Sequence, residues 1–244
     1  MSPDSQAAID RFVDAVWLED GLSANTLAAY RRDLAALAKW LGQTTGHALN
    51  AVQESHLQAY FAARHSLTKA TSANRRLTVF KRYYRWALRE RIVQFDPTLR
   101  MLAAKQALRV PKTLSEDQVD ALLSAPDENT SLGLRDKAML ELLYASGLRV
   151  SELVKLKTLH VSLNEGVLRV MGKGSKERLV PFGDMARDSL LAYMQNSRGT
   201  LLGSKQTDDL FVTASGPKAG TAMSRVMFWQ LIKKYALTSC ITAP

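Results

Sequence analysis

One cysteine, Cys240, is the only thiol in 244 residues, so no internal disulfide is available and packing alone must hold the fold. No run approaches the roughly 18 consecutive apolar residues that a membrane span requires. The opening Met1 to Gln6 is polar and acidic where a secretory leader would be basic and then apolar, so a cytoplasmic, reducing location with no membrane insertion is expected. Histidine is as scarce: His47, His56, His65 and His160 are scattered, and no carboxylate cluster joins them at ligand spacing. Neither metal nor cofactor is therefore expected. Acids are also short, 23 against 33 basic residues, which leaves a formal charge of +10. That balance attracts polyanions without specifying an activity.

What is present is ordinary globular material. An apolar fraction of 46% over this length is enough for two modest domains, each with its own core. Before residue 160 the apolar period is helical almost throughout. Ile9, Phe12, Val13, Val16 and Trp17 mark a first helix stopped by Gly21, which suits a left-handed cap. Leu27, Tyr30, Leu34, Leu37 and Leu41 mark a second, opened by Ser23 and ended by Gly42. A third, capped by Ser55, buries Leu57, Tyr60 and Phe61, and a fourth carries Leu77, Phe80, Tyr84 and Leu88 on one face. Four helices in about 90 residues predict a small bundle over residues 1–92.

Charge is concentrated on that fourth helix. From Arg64 to Arg91 there are nine basic residues against the single acid Glu90. Lys69, Arg75, Arg76, Lys81, Arg82 and Arg85 interrupt the apolar stripe, and Arg31 and Arg32 on the second helix can extend the same surface. A solvated face is one reading; a phosphate-backbone contact surface is the other, and the single sign of the run favours it because a merely soluble face mixes its charges.

Residues 93–111 loosen into Asp96-Pro97 and Val110-Pro111 with Arg100, Lys105 and Arg109 among them, the composition of a basic linker. A second domain, 112–244, opens with the capping-box pattern Ser115-Glu116-Asp117-Gln118. Leu134 to Leu143 reads as a helix broken by Gly147, which leaves Arg149 at the entrance of a further short helix with Glu152 three residues on. An arginine there can fork two hydrogen bonds to phosphate oxygens, or can pair with Glu152 for structure alone. After Leu159 the period becomes alternating: Val161 and Leu163, the turn Asn164-Glu165-Gly166, Val167 to Met171, the tip Gly172-Lys173-Gly174, and Leu179-Val180-Pro181 predict an antiparallel meander. Lys173 is either an idle turn lysine or an ammonium group within reach of a phosphate. The fold class expected is mainly α with a small antiparallel β-meander, α+β.

The segments Gly147-Leu148-Arg149-Val150-Ser151-Glu152-Leu153 and Gly172-Lys173-Gly174-Ser175-Lys176-Glu177-Arg178-Leu179-Val180-Pro181, taken together, resemble the tyrosine site-specific recombinases of the phage integrase family. Asn25-Thr26-Leu27-Ala28-Ala29-Tyr30-Arg31-Arg32-Asp33-Leu34 is similar to the N-terminal core-binding domain of the family's bacterial Xer branch. Leu134-Arg135-Asp136-Lys137-Ala138-Met139-Leu140-Glu141 and the Arg178 strand resemble the D type of that branch, and the similarity runs from about Ile9 to Ala236.

The resemblance implies a SAM-like core-binding bundle and a catalytic domain that together grip a double-stranded DNA recombination site. In such proteins a tyrosine attacks the scissile phosphate without metal or nucleotide. Arg149 matches the family's first arginine, which stabilises charge on the non-bridging oxygens, and Lys173 matches its hairpin lysine, which protonates the departing oxygen. Implied partners are a XerC-like recombinase and a DNA translocase of the division septum. The family also needs a His-x-x-Arg box, a further His or Trp and the nucleophilic tyrosine beyond the Trp229 to Ala236 helix. No histidine follows His160, Tyr193 and Tyr235 are the only tyrosines beyond Lys173, and Leu237 to Pro244 does not continue the pattern. The expectation is a catalytic domain truncated before that box, one that binds DNA but lacks the nucleophile. A non-catalytic DNA-binding or partner-interaction protein that retains the fold is the alternative.

Overall fold

Serine and threonine side chains open most of the long helices, and glycines in the left-handed region close three of them. The computed structural model describes residues 1–105, 113–172 and 176–241, which divide into two compact units, Met1–Arg109 and Val110–Pro244. Each unit is described by itself.

In the first unit, helix α1 (Pro3–Asp20) begins at Ser2, whose hydroxyl accepts from the Ser5 N–H, and ends at Gly21 with φ +59°. Helix α2 (Ala24–Thr44) begins at Ser23 in the same way. It passes through Gly42, which was expected to end it. The chain leaves the helix only at Gly46, φ +72°, whose N–H bonds back to the Leu41 carbonyl at 3.0 Å. The left-handed residue is what a helix terminus requires, and that conformation falls at the second glycine. Helix α3 (Glu54–Ala63) is capped from Gln53 and not from Ser55; the Gln53 N–H donates to His56 Nδ1 at 3.2 Å. Helix α4 (Ala70–Arg89) completes the bundle.

Ile9, Phe12, Leu34, Leu37, Leu41, Tyr60, Phe80 and Tyr84 form the centre of the core, and the Tyr84 hydroxyl donates to the Leu49 carbonyl at 2.9 Å. Trp17 and Leu88, expected on the inner faces, are exposed. Each stands roughly 90–110° from the centre of its helix's apolar stripe at 100° per residue. Part of the expected linker lies on this bundle: Val93 and Met101 pack against its core, next to Ile92. The Asn74 amide bonds both backbone groups of Ala104, at 2.8 and 2.9 Å.

The second unit opens with α5 (Glu116–Leu123), in which Ser115 and Gln118 form the reciprocal cap the sequence predicts. Helix α6 (Ser131–Ser146), capped by Thr130 and closed by Gly147 at φ +59°, is its central element. The short α7 (Val150–Leu153) follows, then an antiparallel sheet in the order β1 (Val161–Ser162), β2 (Val167–Met171) and β3 (Glu177–Pro181). Leu168 lies opposite Val161 on one side and Val180 on the other. Helices α8 (Asp184–Asn196), α9 (Arg198–Leu202) and α10 (Arg225–Thr238) cover the core made by Met139, Leu142, Leu153, Leu168, Leu190 and Phe228.

Gly133 in the first turn of α6 has no room for a side chain. A Cβ there would stand 1.9 Å from the Asp127 carbonyl oxygen and 2.9 Å from the capping hydroxyl of Thr130. Gly133→Ala must displace the Asp127 to Thr130 loop, and a loss of about 1–3 kcal/mol is expected, read as a lower urea midpoint at unchanged slope. Among the described residues no helix is long and apolar enough to cross a membrane.

Candidate functional site

Arg149 enters the structure as the residue before a four-residue helix. Gly147 turns the chain out of α6, and Arg149 itself is extended at φ −70°, ψ 145°. Its backbone N–H donates to Glu152 Oε2 at 2.9 Å and its Nη1 donates to Oε1 at 3.0 Å. The same carboxylate receives a two-pronged bond from Arg178 on β3, Nη1 to Oε1 at 3.1 Å and Nη2 to Oε2 at 3.0 Å. One carboxylate thus collects three side-chain bonds and one backbone bond from two arginines.

The Glu152 side chain is 8% exposed, whereas that of Arg149 is 70% exposed. The structural pairing foreseen for Arg149 is therefore made, and it leaves the guanidinium open to solvent with donors to spare. The fork from Arg178, with further help from Arg149, draws the Glu152 carboxyl down to about 2, against the partial burial that would raise it. Two guanidinium charges on one carboxylate leave the cluster with net positive charge, the sign needed to receive an oxyanion.

Arg178 was read in the sequence only as part of a strand motif. A surface arginine on an edge strand has no local feature that sets it apart; only the fold brings it to Glu152. The same guanidinium also abuts the root of the β2–β3 hairpin, since a Cβ on Gly172 would lie 3.0 Å from Arg178 Nη1. The Gly172 N–H closes the hairpin on the Lys176 carbonyl at 2.8 Å. Lys173, with Gly174 and Ser175, lies outside the described residues.

The two tyrosines beyond the hairpin are both buried donors. Tyr193 stacks on Phe211 and donates to the Leu210 carbonyl at 2.9 Å; burial pushes its hydroxyl up to about 12. Tyr235 donates to Asp136 Oδ2 at 2.8 Å, and desolvation with the adjacent carboxylate raises it further. A phenol that is hard to ionise and hydrogen-bonded inward does not present a nucleophile. Among the described residues no group of three His, Cys, Asp or Glu could hold a metal ion.

On the first unit the fold redistributes the charge run of α4. Arg75 forks onto Asp33 of α2. Arg76 points inward from the same helix, to the Thr68 hydroxyl at 3.2 Å and towards Asp33 at 3.8 Å. Arg82 reaches Asp20 and the Tyr30 hydroxyl, with its guanidinium 5.7 Å from the Tyr30 ring centre. Arg89 takes Glu19, and Arg31 takes Asp10. Among the described residues Arg32, Lys69, Lys81 and Arg85 have no ion pair. Lys81 and Arg85, four positions apart, share one face of α4 with Thr78, Arg82 and Arg89, beside Glu19 and Asp20 of α1. Apart from Glu90, which pairs with its neighbour Arg89, the acids that temper the run come from α1 and α2, remote in sequence, so the linear count overstates the free charge.

Glu152 also makes the stability of the second unit depend on acid. Its carboxyl titrates near 2 when folded and near 4.5 ordinarily, so the native state favours the anion. The stabilisation is complete above about pH 4.5 and is lost as pH falls through about 2. Glu152→Gln is expected to lower the thermal midpoint at neutral pH and to flatten its decline across that window; equal declines in both proteins would remove Glu152 as the cause.

The chain belongs to the phage integrase family: the profile described as "Phage integrase family" matches residues 112–243, and "Phage integrase, N-terminal SAM-like domain" matches residues 9–91. It is similar to Tyrosine recombinase XerD of Ralstonia nicotianae, 57% identical over 245 residues that cover 100% of this chain and 78% of that protein. The Tyrosine recombinase XerD of Vibrio cholerae is 44% identical over 242 residues, covering 99% of this chain and 78% of that one. The expected nearness to the D type of the Xer branch agrees with both. Among solved structures, a lambda integrase dimer bound to a COC' core site superposes with a TM-score of 0.71 at 17% identity. That likeness covers 97% of this chain and 64% of that one, and it shows the fold.

Proposed function

We propose that this chain serves XerD-like site-specific recombination, binding a double-stranded DNA recombination site with both units. The observation that carries the proposal is the Arg149 arrangement. A guanidinium that is oriented by a buried anion, yet left exposed with net positive charge around it, suits a phosphate better than a purely structural pair, which would be enclosed on both sides. In this reading Arg149 meets the non-bridging oxygens of the phosphodiester at the exchange point, and Lys173, carried by the resemblance alone, serves the departing oxygen. Arg31, Arg32, Lys69, Arg75, Arg76, Lys81, Arg82 and Arg85 supply the backbone-contact surface. Arg32, Lys69, Lys81 and Arg85 carry more of it than the four that are held by Asp10, Asp20 and Asp33.

These residues bind and orient the phosphodiester; Tyr193 and Tyr235 take no part in the chemistry. The strand-cleaving nucleophile is assigned to none of the described residues. Partners proposed with this reading are a XerC-like recombinase on the adjoining half-site and a DNA translocase of the division septum, in the cytoplasm.

A gel-shift titration against a duplex bearing a Xer recombination site, with a scrambled duplex as control, tests the proposal. Preferential binding to the site is expected, with the logarithm of affinity falling linearly with the logarithm of salt. Equal affinity for the scrambled duplex would favour a non-specific architectural role. A phosphotyrosyl adduct trapped from this chain on a nicked half-site would overturn the exclusion of its tyrosines.

A further inference from the structure

Arg178 on β3 has no part in the proposed DNA contact, although its fork reaches both oxygens of the Glu152 carboxylate. We infer that Arg178 is a positioning residue for Arg149, acting through the Glu152 carboxylate that the two share; this rests on the proposed role of Arg149 at a phosphate.

Among the described residues Glu152 is the only hydrogen-bond partner of the exposed Arg149 side chain. Without Arg178 the carboxylate would be held only by Arg149, through its backbone N–H on Oε2 and one Nη on Oε1, and would take up a proton more readily. Arg178 adds a second bond to each oxygen. Its fork occupies one lobe of each oxygen, 3.1 and 3.0 Å away, and so fixes the carboxylate plane. Its hydrogen bonds to the carboxylate are the foremost cause of the lowered Glu152 titration point, which keeps the acceptor anionic. The plane in turn sets where Arg149 Nη1 stands, and therefore where its unused donors point.

On its other side the Arg178 guanidinium lies beside Gly172 at the hairpin root, where a Cβ would stand 3.0 Å from its Nη1. The guanidinium thus links β3 to α7 through Glu152. A lysine at 178 would keep the charge and lose the fork, because an ammonium group cannot bond both carboxylate oxygens in one plane.

A double-mutant cycle on duplex binding, together with the Glu152 titration, tests this. Arg178→Met should weaken binding of the site duplex about 3- to 10-fold in the natural background and leave it nearly unchanged in an Arg149→Ala background. Arg178→Lys should recover thermal stability more fully than it recovers affinity. In 13C-carboxyl NMR the Glu152 midpoint should move up by about 1–2 pH units in Arg178→Met. The same loss of binding in both backgrounds, or an unmoved Glu152 midpoint, would overturn the inference. If Arg149→Ala alone leaves binding intact, the phosphate role of Arg149 fails instead, and the positioning of Glu152 by Arg178 stands or falls on the titration.

Discussion

Replacement of Asp136 by alanine is expected to cost the second unit about 3–5 kcal/mol. The Arg135 and Asp136 side chains are 8% and 7% exposed. Asp136 Oδ1 accepts from Arg135 Nε at 2.9 Å and Nη2 at 2.7 Å, and Oδ2 accepts from the Tyr235 hydroxyl. The remaining Arg135 prong bonds the Val212 carbonyl at 3.0 Å. The Arg135–Asp136 pair therefore ties α6, α10 and the segment before α10 together in a buried site. Without Asp136, a guanidinium that cannot lose its proton is left buried with a single partner, and a phenol is left with none. That desolvation, and not the intrinsic strength of the pair, makes the loss large. Asp136→Asn, which keeps the shape and an acceptor, should lose less, and Tyr235→Phe about 1 kcal/mol. Urea unfolding of the three variants checks the order; a loss below about 1 kcal/mol for Asp136→Ala would show that water enters the site and solvates Arg135.

The second large effect concerns DNA. Lys81→Glu with Arg85→Glu should reduce duplex affinity on the order of 100-fold at low salt, and the alanine pair should lower the salt slope by about 2. The reason lies in the pairing pattern. Lys81 and Arg85 share a face of α4 with no acid bonded to either among the described residues, whereas Arg75 and Arg82 are already neutralised by Asp33 and Asp20. An unpaired side chain can displace a counterion from a phosphate at little cost; a paired one must first give up its carboxylate. Arg75→Ala should accordingly affect stability more than binding. Slope and affinity unchanged in the double glutamate variant would move the DNA surface away from α4.

The elements easiest to foresee were those whose local chemistry permits one outcome. Ser115 with Gln118, Gly21 and Gly147 occupy positions where caps satisfy free backbone groups within a few residues, so a short window contains the whole cause. The meander followed from alternation and from Gly166. Gly42 and Ser55 misled because a glycine or serine near a helix end is a candidate rather than a determinant, and the residue that actually ends or opens the helix is chosen by the chain around it. Trp17 and Leu88 followed the apolar period but fell at its margin. At the site, Arg149 and Glu152 were legible as neighbours three residues apart, while Arg178 was not.

By itself the sequence determined the caps at Gly21, at Ser115 with Gln118 and at Gly147, the change from helical to alternating period near residue 160, and the motifs around Arg149 and Lys173 that mark the family. Each depends on groups close along the chain. The tertiary structure alone decided which charges remain free. Asp10, Asp20 and Asp33 come from other helices to quench Arg31, Arg82, Arg75 and Arg76, and Arg178 comes from a strand to hold Glu152. Coulomb and hydrogen-bond energies depend on distances of a few ångströms in space, which linear spacing does not encode until the core has folded.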